Sequence, residues 1–219
     1  LVVAACDERG VPCEILTVHV GKGNVQAQAR QARYRALQGW AERRCVRCVA
    51  TAHHADDQME TMLMRLNRGS GISGLSGIRE RTTLGERLPV IRPVLSFSRA
   101  ELAQVIADMG VEVVSDPSNT DTSYERVKLR QAIRSLDGLD PKGFAASARH
   151  MEEADVLCKV TMERWLSENE TPLQGGLRNP APPARSMEYP LLEAQFRMMG
   201  KQPRGSDLAR LLERLRKGL

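Results

Sequence analysis

The chain passes from strand to helix within residues 46–61, and no other stretch restricts the fold as much. Val46-Arg47-Cys48-Val49-Ala50-Thr51-Ala52 is mostly apolar and short enough to be a strand. It runs straight into His53-His54-Ala55-Asp56-Asp57-Gln58-Met59-Glu60-Thr61, and helix is expected from about Asp56 to Leu66. Upstream, residues 1–9 read as the end of a helix closed by Gly10, and Val11–Val18 as a strand entered after Pro12. Val25 to about Arg43, with Ala27, Ala29, Ala32, Ala36 and Leu37, favours helix. Helix, strand, helix, strand, helix in this rhythm predicts an α/β fold with a parallel sheet and flanking helices. Open sheets of this kind bind ligands beyond the carboxyl ends of their strands, which is where His53 and His54 fall.

Downstream, Leu88–Leu95 is extended, as Pro89 and Pro93 require. Ser98-Arg99-Ala100-Glu101 forms a capping box that opens a helix to about Met109, stopped by Gly110. Asp116-Pro117-Ser118-Asn119 reads as a turn, Tyr124 to Arg134 as a helix, and Pro141 to about Ser167 as a long helix. Residues 172–190, rich in proline and glycine, read as a linker before a basic helix from about Ser206. The expected organisation is a first domain at 1–137, followed by a smaller, mainly helical, basic domain at 138–219.

Composition narrows the classes. No apolar run approaches the ~20 residues of a membrane span, and no basic-then-apolar leader opens the chain. The five cysteines are odd in number and irregularly spaced, the pattern of reduced thiols in a cytoplasmic protein, and Cys45-x-x-Cys48 has no second such pair with which to form a metal site. The net charge of +5 is concentrated. Arg65, Arg68, Arg79, Arg81, Arg87, Arg92 and Arg99 face only Glu80 and Glu86 over residues 65–99. That distribution points to a polyanionic partner. Aromatic residues make up 4% of the chain, too few for base stacking to dominate.

The ionisable cluster at 53–60 holds two histidines, two aspartates and a glutamate. Capping at the positive end of the helix dipole accounts for Asp56 or Asp57, but hardly for the whole group. Asp57 and Glu60 share one helix face, as do Asp56 and Glu60. From the residues alone three chemistries stay open: magnesium held with a nucleotide, an amine gripped by carboxylates, or a histidine-completed metal site for hydrolysis. Gly69, Gly71, Gly74 and Gly77 follow at once, flanked by Arg65 and Arg68. Glycines let backbone amides approach phosphate, although Gly69 equally suits a helix stop.

Taken in order, these motifs resemble one family. Gly23-Asn24-Val25-Gln26-Ala27-Gln28-Ala29-Arg30-Gln31-Ala32-Arg33-Tyr34, then Ala52 to Thr61, Arg68-Gly69-Ser70-Gly71, Gly74-Leu75-Ser76-Gly77-Ile78, Arg92-Pro93-Val94-Leu95, Ser98 to Leu102 and Asp116 to Asn119 are similar to the tRNA(Ile)-lysidine synthetases. The resemblance is strong over roughly residues 10–135 and weak beyond. It implies a PP-loop ATP pyrophosphatase with an adenine-nucleotide α-hydrolase-like fold. It further implies that ATP adenylates the carbon-2 oxygen of the wobble cytidine in isoleucine tRNA with a CAU anticodon. The ε-amine of L-lysine then displaces AMP to give lysidine. ATP and Mg2+ are the implied cofactors, and a homodimer is carried as the expected assembly.

Carried onto this sequence, the resemblance gives His53, Asp57 and Glu60 catalytic roles. Arg33, Asp56, Gly69, Ser70 and Gly71 are expected on lysine or nucleotide, with Asp56 as a magnesium ligand. Arg65, Arg68, Arg126, Lys128 and Arg130 are expected on tRNA. Two departures stand out. The family's Ser-Gly-Gly-x-Asp-Ser phosphate loop does not occur, so the chain is expected to begin after it and to lack a full ATP site by itself. Arg126-Val127-Lys128 replaces the usual Arg-Asn. The rival readings are a metal-dependent phosphohydrolase using His53, His54, Asp56 and Asp57, and a non-catalytic tRNA-binding fragment. A tRNA 2-thiolation enzyme is a further relative, but Cys45 and Cys48 are poorly placed to carry its sulfur.

Overall fold

A computed structural model describes residues 2–19, 25–85, 87–111, 125–169, 171–173, 176–178, 182, 184–201, 203 and 205–218. The turn at Asp116–Asn119 lies outside these residues. Contacts gather the chain into two compact units that interleave in sequence rather than dividing at 137/138. The first comprises Leu1–His54 and Glu80–Val127, the second Ala55–Arg79 and Lys128–Leu219.

In the first unit, α1 (Val2–Asp7) and α2 (Val25–Arg43) precede β1 (Val49–Ala50). The strands β2 (Arg81–Leu84) and β3 (Leu88–Ile91) and the helix α5 (Arg99–Asp108) follow. The sheet has the order β1-β3-β2, with β1 parallel to β3 and β2 antiparallel to it, so it is mixed, where an all-parallel sheet was expected. The reason is the short connection at Gly85, whose φ of +61° suits a hairpin return, whereas a parallel neighbour needs a long crossover. Val90, on the middle strand, is buried. Val11–Val18 forms no strand: without a partner ladder its alternating residues stay unpaired in the sheet sense. Helix α5 opens on the expected capping box, with Ser98 accepting from the Glu101 amide and the Glu101 side chain accepting from the Ser98 amide.

In the second unit, α3 (Ala55–Asn67) and the short α4 (Ile72–Leu75) pack against α7 (Pro141–Asn169). At 1.5 Å per residue the 29 residues of α7 span ~44 Å, a spine for the unit. Then follow a two-stranded ribbon, β4 (Thr171–Leu173) with β5 (Gly176–Arg178), the helix α8 (Glu188–Met198) and the basic α9 (Gly205–Arg216). Residues 172–190, expected to be a linker, thus contain this ribbon and the start of α8. Pro190 lies in the first turn of α8, where a missing amide hydrogen costs no helical bond. Met162, Leu166, Leu191 and Ala194 form the core between α7 and α8, with Trp165 and Met187 packed on it. Helix α6 (Glu125–Arg134) contributes Lys128 and Arg130 to this unit.

Candidate active site

Helix α3 begins where the strand-to-helix turn was expected, and its first turn carries Asp56 and Asp57, both half-buried. Met59 and Met62 face the core, while Gln58 and Glu60 are polar side chains buried among them. A buried carboxylate must be paired, and Glu60 is. Its Oε1 accepts from Arg130 Nε at 2.6 Å and its Oε2 from Arg130 Nη2 at 3.0 Å, a two-point, charge-assisted contact. Glu60 is 4% exposed and Arg130 26%. The Glu60 hydrogen bonds hold the Arg130 guanidinium above the ordinary arginine value; burial opposes this, and the charges of Glu60, Asp57 and Asp56 add to it. Three carboxylates therefore act on one guanidinium.

Asp56 and Asp57 stand in the first turn of α3, where the positive end of the helix dipole favours carboxylates. Among the described residues, no three His, Cys, Asp or Glu side chains cluster as a metal cage would require, so Asp56 does not sit in a ready-made metal site. Magnesium carried mainly by phosphate oxygens needs only one or two carboxylates, and Asp56 fits that more modest role. The same observation removes the support for a hydrolytic metal site on His53, His54, Asp56 and Asp57.

The glycine-rich stretch is organised by α3. Gly69 adopts φ +67°; its amide donates to Leu66 O at 2.9 Å and the Ser70 amide to Arg65 O at 3.0 Å. This pair of bonds is a Schellman stop. Arg65 Nη1 donates to the carbonyls of Gly74 and Gly77, at 2.5 Å and 2.9 Å. Burial, with Arg79 adding, pushes the Arg65 guanidinium below its ordinary value. Gln58 pins Ile78 at both backbone groups, accepting from its amide at 2.5 Å and donating to its carbonyl at 2.9 Å. Gly77 has φ +62°, and a Cβ there would lie 2.3 Å from Gln58 Oε1, so only glycine fits. Arg65 and Arg130, expected on tRNA, are thus engaged inside the protein, whereas Arg68 and Lys128 are exposed and Arg126 half-buried. Gly69, Ser70 and Gly71 form the turn between α3 and α4.

In the first unit, His53 Nδ1 lies 2.9 Å from Thr51 Oγ1, and the Thr51 amide donates to Ile91 O at 3.0 Å. The imidazole is oriented by a residue that is itself tied to β3. His54 is half-buried, and Arg33 is exposed on α2. A second ionic centre escaped sequence reasoning. Asp155 on α7 is buried and accepts from Arg79 Nη2 at 2.5 Å and from Lys159 Nζ. Burial raises its carboxyl, but the hydrogen bonds and charges of Lys159 and Arg79 outweigh that and leave it below the ordinary value. Only the Asp155–Lys159 spacing of four was visible in sequence.

The family described as "PP-loop domain" matches residues 1–136. A tRNA(Ile)-lysidine synthase of Novosphingobium aromaticivorans is 42% identical over 224 aligned residues, covering 100% of this chain and 68% of that protein. One from Zymomonas mobilis is 39% identical over 160 residues, 70% of this chain and 48% of that protein. One from Ruegeria pomeroyi is 43% identical over 149 residues, 66% of this chain and 35% of that protein. The chain thus spans about two thirds, a half and a third of these relatives.

Proposed function

The chain belongs to the PP-loop domain family and, within it, to the tRNA(Ile)-lysidine synthases, and from that premise we propose that it converts the wobble cytidine of CAU-anticodon isoleucine tRNA to lysidine. The carbon-2 oxygen of the cytidine attacks the α-phosphorus of ATP and pyrophosphate leaves. The ε-amine of lysine then attacks carbon-2, and the C–O bond breaks with AMP as leaving group. The new carbon–nitrogen bond makes the enzyme a ligase. Magnesium, when bound with ATP, supplies charge neutralisation on the phosphates.

The observation that supports the reading is the grouping of three carboxylates, Glu60, Asp57 and Asp56, around one guanidinium at the start of α3. Asp57 meets the lysine amine and orients it for attack. Glu60, bound to Arg130, fixes the cationic partner around which the amine site is arranged. His53, held by Thr51, takes up or delivers the proton as amine and oxygen exchange places at carbon-2. Asp56 would hold magnesium bound with the nucleotide, and Arg33 would meet a phosphate or the lysine carboxylate. Arg68, Arg126 and Lys128 contribute to tRNA affinity, while Ser70 and Gly71 lie at the nucleotide side of the turn.

The test supplies the protein, translated from its whole reading frame, with ATP, lysine and an isoleucine tRNA transcript. Nucleosides are then analysed by mass spectrometry. Lysidine and one AMP per modified tRNA are expected. Asp57→Asn should lower turnover by ~10²–10⁴-fold, the range of a positioned proton-handling or orienting group. An unmodified anticodon from wild-type protein would refute the reading. tRNA binding without AMP release would favour a non-catalytic binding module.

A further inference from the structure

We infer that the groove between α2 and the β2–β3 hairpin of the first unit is a seat for the sugar–phosphate backbone of the RNA substrate. The inference rests on the function proposed above and adds a surface that the reaction itself does not require. The groove is an open, shallow hollow of about 450 Å³, lined by Arg30, Gln31, Tyr34, Arg35, Gln38 and Leu84. A neighbouring hollow of about 270 Å³ shares Arg30, Tyr34 and Leu84 and adds Thr82, Thr83 and Arg92. Arg33, given a role at the reacting groups, does not line either.

Three features argue for a phosphate chain. The first is charge: Arg30 and Arg35 are exposed on the wall, Arg92 is buried in it, and no carboxylate lines it among the described residues. The acidic side chain at its edge is Glu42, which accepts from Gln38 Nε2 at 3.1 Å, one turn farther along α2. The second is preorganisation. The Arg30 guanidinium lies over the Tyr34 ring, 5.0 Å from its centroid, and its Nη2 is 3.5 Å from the Tyr34 hydroxyl. A guanidinium resting over an aromatic ring has part of its rotamer freedom already removed, and its planar fork of donors suits phosphate. The third is shape. Positions 30, 31, 34, 35 and 38 make one helical stripe, ~12 Å long at 1.5 Å per residue. At a rise of ~3.4 Å per nucleotide along one strand, that length meets about three phosphates. Thr82 and Thr83 add hydroxyls, a class of donor that commonly meets phosphate and sugar oxygens.

Among the described residues a single ring, Tyr34, lines the groove, so the contact reads backbone and positions the RNA without reading bases. A free nucleotide would use the same phosphate chemistry, and the experiment separates the two. Binding of a fluorescein-labelled isoleucine tRNA transcript is followed by anisotropy between 50 and 200 mM salt for wild type, Arg30→Ala/Arg35→Ala, Arg30→Lys/Arg35→Lys and Arg35→Glu alone. ATP retention is measured in parallel, and circular dichroism checks the fold.

For the double alanine variant, the slope of log K against log salt should shrink by about 1.5–2, the value for two lost phosphate contacts. Its affinity at 150 mM salt should fall by ~10-fold with ATP retention unchanged. The lysine pair should keep most of the slope. Arg35→Glu, at an exposed helix position that cannot unfold the chain, should weaken tRNA binding at least as much as the neutral variants. Unchanged salt slopes in a wild-type protein that still makes lysidine would overturn the groove and leave the function standing. A selective loss of ATP retention would also overturn it, in favour of a nucleotide seat. A wild-type protein that makes no lysidine fails at the earlier proposal, whatever the groove variants do.

Discussion

Arg130→Ala probes the ion pair that closes the start of α3. The substitution removes both hydrogen bonds, at 2.6 Å and 3.0 Å, from a carboxylate that is 4% exposed. At an effective dielectric of ~20, unit charges ~2.8 Å apart attract by about 6 kcal/mol. The guanidinium is 26% exposed, so solvent already screens part of this and the pair has a desolvation cost of its own. The net loss expected on breaking it is about 3 kcal/mol, because Glu60 is left buried without that partner. In a chain of this size that corresponds to a fall in Tm of ~6–12 °C. A double-mutant cycle sharpens the test. Glu60→Leu and Arg130→Met each remove one side of the two-point contact, whereas the double substitution removes both charges. The coupling from urea unfolding of the four proteins should reach about 2 kcal/mol, with the double variant close to wild type. Additivity within ~0.5 kcal/mol would refute the reasoning, since it would mean that the two groups do not sense each other.

Three further outcomes are expected. Asp155 has a folded-state carboxyl below its ordinary value of 3.8, so its stabilisation is complete above about pH 4 and is lost as pH falls through the folded value. Urea unfolding between pH 5 and 2.5 should show a steeper acid loss in wild type than in Asp155→Asn. Gly77→Ala places a Cβ 2.3 Å from Gln58 Oε1 at φ +62°. It should cost ~2–4 kcal/mol by thermal melting, and Gln58→Ala in the same background should restore less than half, because the backbone strain persists. His53→Ala should cut lysidine formation by ~10²-fold or more while changing tRNA affinity less than ~2-fold; a large affinity loss would make His53 a binding residue instead.

Much of the local structure was legible because its causes are local. The alanine-rich stretch gave α2 within its observed bounds, Val25–Arg43, and the Ser98–Glu101 box and the Gly69 stop are chemistry of adjacent residues. The candidate site was legible as a cluster, not as a geometry. Glu60 finds its partner 70 residues away and Arg79 finds Asp155 after 76, and no spacing rule reaches so far. The arginine count pointed to a polyanion but did not separate those held inside, Arg65 and Arg130, from those exposed on α2. Pro190 falls within the stretch that reads as a linker because a proline in a first helical turn has the same sequence signature as one in a loop. Val11–Val18 departs from the strand expected after Pro12 because an apolar run does not by itself supply a neighbour to bond.

Because the units alternate along the chain, synthesis order and assembly order differ. Helices α3 and α4 leave the ribosome before the surface that shelters their apolar side, which belongs to α7, some 66–86 residues later. Until that spine emerges, Met59 and Met62 have no cover from it and the acidic turn no firm footing. A nonsense mutation shortly after residue 140 would therefore spare every catalytic candidate in the genetic text and still deliver a polypeptide fit mainly for chaperones and proteases.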